Sequence, residues 1–294
     1  MTSSDSPLKI YSRKQNTLAS EVSFSGIGIH TGQCVYMRFI PAPENTGRIF
    51  RRTDLPGSPE IPASLDYVID TNRSTSIGIG GVRIYTVEHV LAALAAYKVD
   101  NLYIEISNVE PPVASGGSIE FVEMIEKAGL LTQDAEQPIV QLKAPIYQSE
   151  GDIHLVALPY HEYRISYTLS YPDNPALKSQ YRSFAIDPNS FKKELAPSRT
   201  FSLYKEVSAL MDKGLIKGGS LANAVIIHDE VIFSKGGLFY DDEPVRHKML
   251  DMVGDFSLLG FDLIAHFISI RSGHGPNFAF AKKIMEEINS ENMV

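Results

Sequence analysis

His247 and Asp251 stand four residues apart in Val245-Arg246-His247-Lys248-Met249-Leu250-Asp251. On a helix that spacing puts both side chains on one face, and Asp255 extends the face by another turn. A histidine and a carboxylate so placed can grip one divalent ion. A third ligand from elsewhere would complete a set with one position open for water, the pattern of a catalytic rather than a structural zinc. His89 is the candidate third ligand, and Glu88 beside it could take a proton from an acidified water. Taken singly, each pair suits a solvated helix face equally well. Their recurrence at corresponding places in the two halves of the chain favours a shared site.

His274 lies between Gly273 and Gly275. It reads either as an exposed histidine in a turn or as a general acid working near neutral pH. In Ser198-Arg199-Thr200-Phe201 the Thr200 hydroxyl could donate to a developing oxyanion. Lys217-Gly218-Gly219-Ser220 lacks the full phosphate-loop pattern and reads as a turn. Gly26-Ile27-Gly28-Ile29-His30-Thr31-Gly32 lacks the third glycine of a dinucleotide fingerprint.

These residues need a scaffold. Alternation of Val35, Met37 and Phe39, and of Leu102, Ile104 and Ile106, predicts strands, with another over 82–87. The Ala- and Leu-rich stretch 87–97 predicts a buried helix, and Ser118 an N-cap for a helix ending at Gly129. Polar residues 132–138 mark a boundary, dividing the chain into residues 1–131 and 132–294. Beyond it, strands are expected over 139–147 and 153–158 around Glu150-Gly151-Asp152, then over 163–171, 181–186 and 263–270. Helices are expected over 191–195 and 203–213, from Pro244 to a stop at Gly260, and over 277–288. Each half thus opens a helix with a histidine, then runs through a strand and a glycine loop to another helix. The pattern predicts two α+β domains of like topology about a pseudo-twofold axis, with the His89 and His247 helices facing each other.

Composition narrows the function. At 294 residues and a formal charge of −8, the chain suits two domains and lacks the basic field of a nucleic-acid binder. Cys34 is the lone cysteine, which excludes an intramolecular disulfide and a Cys-rich zinc site and fits a reducing compartment. Residues 1–7 lack the apolar core of a secretory signal. The most apolar stretch, 256–270, is too short and too polar to span a bilayer.

Five segments occur in order: Thr86-Val87-Glu88-His89-Val90-Leu91-Ala92-Ala93-Leu94, Ser198-Arg199-Thr200-Phe201, Lys217-Gly218-Gly219-Ser220-Leu221-Ala222-Asn223-Ala224, the block from Val245 through Asp251 to Asp255, and Ser272-Gly273-His274. With Tyr171-Pro172-Asp173-Asn174-Pro175-Ala176-Leu177, the chain closely resembles the zinc-dependent UDP-3-O-acyl-N-acetylglucosamine deacetylases of lipid A biosynthesis. The resemblance implies an α+β fold of two similar domains, each a mainly antiparallel sheet with helices, the helices sandwiched between the sheets. It implies Zn²⁺ held by His89, His247 and Asp251, with Glu88 as general base. His274 would be acid or oxyanion partner, Asp255 its orienting carboxylate, and Lys248 and Thr200 stabilisers of the tetrahedral intermediate. Phe201 would contact the sugar, and Leu203 and Ala224 would belong to an inserted segment, about 203–227, lining an acyl passage. The expected partner is a UDP-linked acylated amino sugar, and the expected protein a cytoplasmic monomer, neither nucleic-acid-binding nor integral to a membrane. Two alternatives use the same residues: a zinc amidohydrolase with a different pocket, and a non-enzymatic metal-binding scaffold. One departure is Ser115-Gly116-Gly117-Ser118, where the family has Asp-Gly-Ser-Ala.

Overall fold

The computed structural model describes residues 8–292; residues 1–7, read above for a leader, lie outside it. The chain is α+β, with mixed sheets. Strands β1 (Leu8–Leu18), β2 (Val22–Ile27), β3 (Cys34–Pro41), β4 (Arg48–Arg52) and β5 (Glu60–Pro62) come first. A small meander follows, β6 (Val68–Asp70), β7 (Ser76–Ile79) and β8 (Val82–Ile84). Then come α1 (Glu88–Ala96), β9 (Leu102–Ile106), α2 (Ile119–Ala128) and β10 (Leu130–Leu142). The second half runs β11 (Ile146–Glu150), β12 (Ile153–Leu158), β13 (Tyr163–Tyr171), β14 (Lys178–Ala185), the helical turn α3 (Pro188–Ser190), β15 (Thr200–Leu203) and α4 (Tyr204–Asp212). It closes with β16 (Ala224–His228), β17 (Val231–Phe233), α5 (Glu243–Phe256), β18 (Asp262–Ile270) and α6 (His274–Asn292).

The two large sheets share one plan. The first has the order β2-β3-β9-β4-β5, antiparallel except where β4 runs parallel to β9. The second repeats it as β11-β12-β18-β13-β14, with β13 parallel to β18. A parallel pair needs a crossover, and α1 and α5 lie on the connections leading to β9 and β18. This explains why both carry a histidine near the start: they are the same element of a repeated unit. On β9, Leu102, Ile104 and Ile106 are buried, and on β18 Leu263, Ala265, Phe267 and Ser269, so alternate residues of each sheet face the core. The apolar core is continuous, running from Phe39, Phe50 and Leu91 to Met249, Phe267 and Phe280.

Several expected elements shift. Residues 132–138 are not irregular: β10 passes through them, antiparallel to β1, and reaches the second sheet beside β18. Their polar side chains alternate with a half-buried edge rather than marking a loop. The strand over 139–147 is two strands, and that over 82–87 stops at Ile84, because Thr86 takes the left-handed conformation (φ 54°) just before α1. Ser118 precedes α2, but its hydroxyl donates to the His89 carbonyl at 2.8 Å instead of capping the helix. The last helix begins at His274, so that residue occupies a helix N-terminus and not a glycine loop. Gly260 (φ 80°) ends the α5 region as expected. Among the described residues no helix is long and apolar enough to cross a membrane.

Helices α1 and α5 pack against each other, and Gly254 permits it. A Cβ there would lie 2.1 Å from the Glu88 carbonyl oxygen. Gly254→Ala should therefore push α5 off α1, costing about 1–3 kcal/mol and lowering Tm by roughly 2–4 °C per kcal/mol for chains near this size. Thermal denaturation checks this; an unchanged Tm would show that the helices are not in hard contact.

Candidate active site

The N-terminus of α1, one face of α5, the start of α6 and strand β15 converge on a cavity of about 900 Å³. Glu88, His89, His247, Asp251 and His274 all border it. All of α5 except Lys248 is buried, including Arg246, His247, Asp251 and Asp255. A helix that buries so many ionisable groups is stable only if each finds a partner.

Asp251 Oδ1 lies 3.5 Å from His89 Nε2 and 3.4 Å from His247 Nε2, and the imidazole rings meet edge-on at 5.0 Å. That oxygen is buried and has no hydrogen-bond partner. The His247 Nδ1–H donates to the Ser198 carbonyl at 3.0 Å. A carbonyl only accepts, so this bond fixes the tautomer and turns the Nε2 lone pair toward Asp251. Burial drives His247 down to about 3, against the opposing pull of Asp251, so the imidazole is neutral and able to ligate. Burial works to raise Asp251, but its charged neighbours hold it well below the usual carboxylate range. With His247 neutral, the standing cations are the Lys248 ammonium, which donates to Asp251 Oδ2 at 2.7 Å, and His274, whose Nε2 lies 3.9 Å from the same oxygen. An orphaned carboxylate oxygen facing two imidazole Nε2 atoms fits a divalent cation.

A second group, Glu88, Asp251 and His274, is as close-set, but it is poorer for a metal. Glu88 Oε2 already accepts the Thr75 N–H at 3.0 Å. Burial lowers the His274 pKa, yet Asp255, Glu88 and Asp251 outweigh it and raise the group to about 9, and an imidazolium cannot ligate. His274 Nδ1 instead lies 3.0 Å from Asp255 Oδ2, leaving Nε2 3.9 Å from both Glu88 Oε1 and Asp251 Oδ2. Burial pushes the Glu88 carboxyl above its ordinary value, partly offset by the two histidines. Thus the cluster separates into two imidazoles and a carboxylate suited to a metal, and a carboxylate and an imidazolium suited to moving protons.

Thr200 and Phe201 border the cavity from β15. The Phe201 ring stands 6.5 Å from that of His247 and 5.9 Å from Lys248 Nζ. The Thr200 N–H donates to the Gly116 carbonyl at 2.9 Å, which shows what the variant glycine loop does. Gly116 and Gly117 have no room for a Cβ, which would sit 1.8 Å from the Asn223 carbonyl and 2.4 Å from that of Ala196. Ser115 donates through N and Oγ to Glu120, at 3.1 and 2.9 Å. Ala224 pairs directly with Thr200 in the parallel β15–β16 register, at the reacting end of the cavity. Leu203, Val207, Leu210, Leu215, Ile216 and Ile226 continue an apolar wall. No residue of α4 is buried, so its apolar side chains serve this wall and not a core. The turn at Lys217-Gly218-Gly219 spends its N–H groups on His30, Ile29 and Ile216 carbonyls and has none aimed at a phosphate.

Other residues of the site carried no local signal. Thr75 and Asn277 bond Asp255. Arg199 makes a buried two-pronged pair with Glu243, at 2.8 and 3.0 Å, which ties β15 to the start of α5. Only Ser198-Arg199, adjoining Thr200, hinted at the latter.

In the metal-free protein His274 should titrate at about pH 9. Its folded value lies above the ordinary 6.5, so the stabilisation it contributes is complete below about pH 6.5 and lost as pH rises through about 9. A bound divalent cation would oppose the shift. Asp255→Asn removes the largest raising charge and should lower the midpoint. An NMR titration decides; a midpoint near 6.5 in the unsubstituted protein sinks the assignment.

The family model described as "LpxC: UDP-3-O-acyl N-acetylglycosamine deacetylase" matches residues 15–286. A UDP-3-O-acyl-N-acetylglucosamine deacetylase of Chlamydia caviae is 47% identical over 274 residues, 93% of this chain and 98% of that protein. The Chlamydia pneumoniae protein of the same name is 47% identical over 277 residues, 94% and 98% of the two chains. That of Chlamydia trachomatis serovar L2 is 44% identical over 279 residues, 95% and 97%. Read with the buried His89–His247–Asp251 cluster, these matches establish that the chain belongs to the UDP-3-O-acyl-N-acetylglucosamine deacetylase family.

Proposed function

We propose that this chain hydrolyses the N-acetyl group of UDP-3-O-acyl-N-acetylglucosamine, releasing acetate in lipid A biosynthesis, with His89, His247 and Asp251 holding Zn²⁺. The observation that carries the reading is the unpartnered, buried Asp251 Oδ1 facing two Nε2 atoms. Zinc in that set supplies Lewis acidity, acidifying water to a pKa near 7 and polarising the acetamide carbonyl.

The side chains do the rest. Glu88 Oε1, the oxygen not occupied by Thr75, takes the proton of the attacking water, and burial raises the carboxylate's affinity for that proton. As the water oxygen bonds to the carbonyl carbon, negative charge grows on the carbonyl oxygen, where Thr200 and Lys248 donate. His274 Nε2 gives its proton to the nitrogen as the C–N bond breaks, and Asp255 holds the ring through Nδ1. Phe201 offers its ring to the sugar. The apolar wall from Leu203 and Ala224 to Leu215 takes the fatty acyl chain, favouring a lipid-bearing amino sugar over a peptide.

The repeated strand order and the α1–α5 contact support two domains, divided near residue 131, with helices layered between the sheets. The lone thiol and nucleotide-linked substrate support a cytoplasmic setting.

Acetate release from the UDP-sugar should vanish with a chelator and return with zinc; activity indifferent to chelation overturns the metal set. Leu215→Trp should fill the far part of the wall and lower kcat/KM for a long-acyl substrate at least about tenfold relative to a short-acyl one, the value of one or two buried methylene contacts. An unchanged ratio removes this wall from acyl binding.

A further inference from the structure

Thr75 is buried at the end of the loop just before β7 and bears no motif, yet each of its polar groups is committed to the site. Its N–H donates to Glu88 Oε2 at 3.0 Å, and its carbonyl accepts from the Val87 N–H at 3.1 Å, at the entry to α1. Its hydroxyl donates to Asp255 Oδ1 at 2.5 Å and stands 3.3 Å from His274 Nδ1. The other oxygen of Asp255 receives Asn277 Nδ2 at 2.8 Å and His274 Nδ1 at 3.0 Å. One residue therefore touches the carboxylate of the base, the carboxylate that steers the acid, and the acid itself. These groups come from elements far apart in sequence, α1, α5 and α6, which share no covalent means of keeping register.

We infer that Thr75 is a positioning residue that sets the Glu88 base and the Asp255–His274 pair in mutual register. This rests on the deacetylase reading. The backbone half of the residue leaves Glu88 with one free oxygen. The hydroxyl half fixes the carboxylate plane of Asp255, and so the direction in which His274 Nε2 points. Thr75 meets neither a proposed metal ligand nor the substrate cavity's acyl wall, so its influence runs through orientation alone.

Thr75→Val keeps the shape, the N–H and the carbonyl and removes only the hydroxyl. We expect kcat to fall about 10–100-fold, the usual cost of losing a supporting hydrogen bond of this kind, with KM within about twofold. Thr75→Ser should recover most of the loss. In an Asp255→Asn background Thr75→Val should add less than about twofold, because the hydroxyl acts through that carboxylate. Should Thr75→Val fail to fold, Thr75→Cys, a similar volume with a weak donor, carries the same expectation. A kcat within twofold of the unsubstituted enzyme, a serine variant no better than valine, or full additivity with Asp255→Asn overturns the inference. A chain that releases no acetate at all speaks against the deacetylase reading instead. In that event the downfield His274 Nδ1–H proton resonance tests Thr75 directly: it shifts in Thr75→Val if the hydroxyl orders the pair, and stays put if it does not.

Discussion

Everything in this molecule turns on holding a carboxylate, Asp251, away from water between two imidazoles, those of His89 and His247. An ion so buried is tolerable only with compensation. Lys248 satisfies one oxygen, and the other is left to whatever the two Nε2 atoms also face. The residues around it divide by charge. Neutral His247 is kept neutral by burial and aimed by the Ser198 carbonyl, while His274, a few ångströms away, is kept charged by three carboxylates. Two histidines in one cavity thus take opposite protonation states, and that difference separates metal binding from proton transfer.

The scaffold exists to keep this separation in place. Helices α1 and α5 are corresponding elements of two like sheets, and they touch where Gly254 has no side chain. Around them lie ties that do no chemistry: Arg199 with Glu243, Ser118 with the His89 carbonyl, and the glycine loop that receives the Thr200 N–H. Two residues before α1, Thr86 holds a left-handed backbone. Strain of this sort persists where surrounding contacts over-determine it and is concentrated at working sites. On the open side, α4 has no buried residue and lends its apolar face to the cavity, so one end of the pocket is polar and fixed while the other is apolar and built of surface elements.

Much of this is legible in the amino-acid sequence. Helix α1 announced itself by an Ala- and Leu-rich run, β3 and β9 by alternation, and the end of the α5 region by Gly260, because these signals are local. The strand through 132–138 was not legible, since its polar residues are those of a half-buried edge whose pairing with β1 is more than a hundred residues distant in sequence. The N-terminus of α6 was hidden for a related reason: glycines on both sides of His274 resemble a turn, and only packing beside Asp255 carries the helix back to that residue. Asn277 and Thr75 gave no pattern of their own, because a side chain that steadies another needs only the right place.

The amino-acid sequence by itself determined which groups are present and which share a helix face: His247, Asp251 and Asp255 at turns of α5, and Glu88 beside His89 at the start of α1. Those are consequences of helical periodicity and hold in isolation. Tertiary structure alone decided that the two faces meet, that water is excluded between them, and hence which histidine is neutral and which is charged. Protonation depends on burial and on charges brought in from distant segments, and no spacing along the chain encodes it.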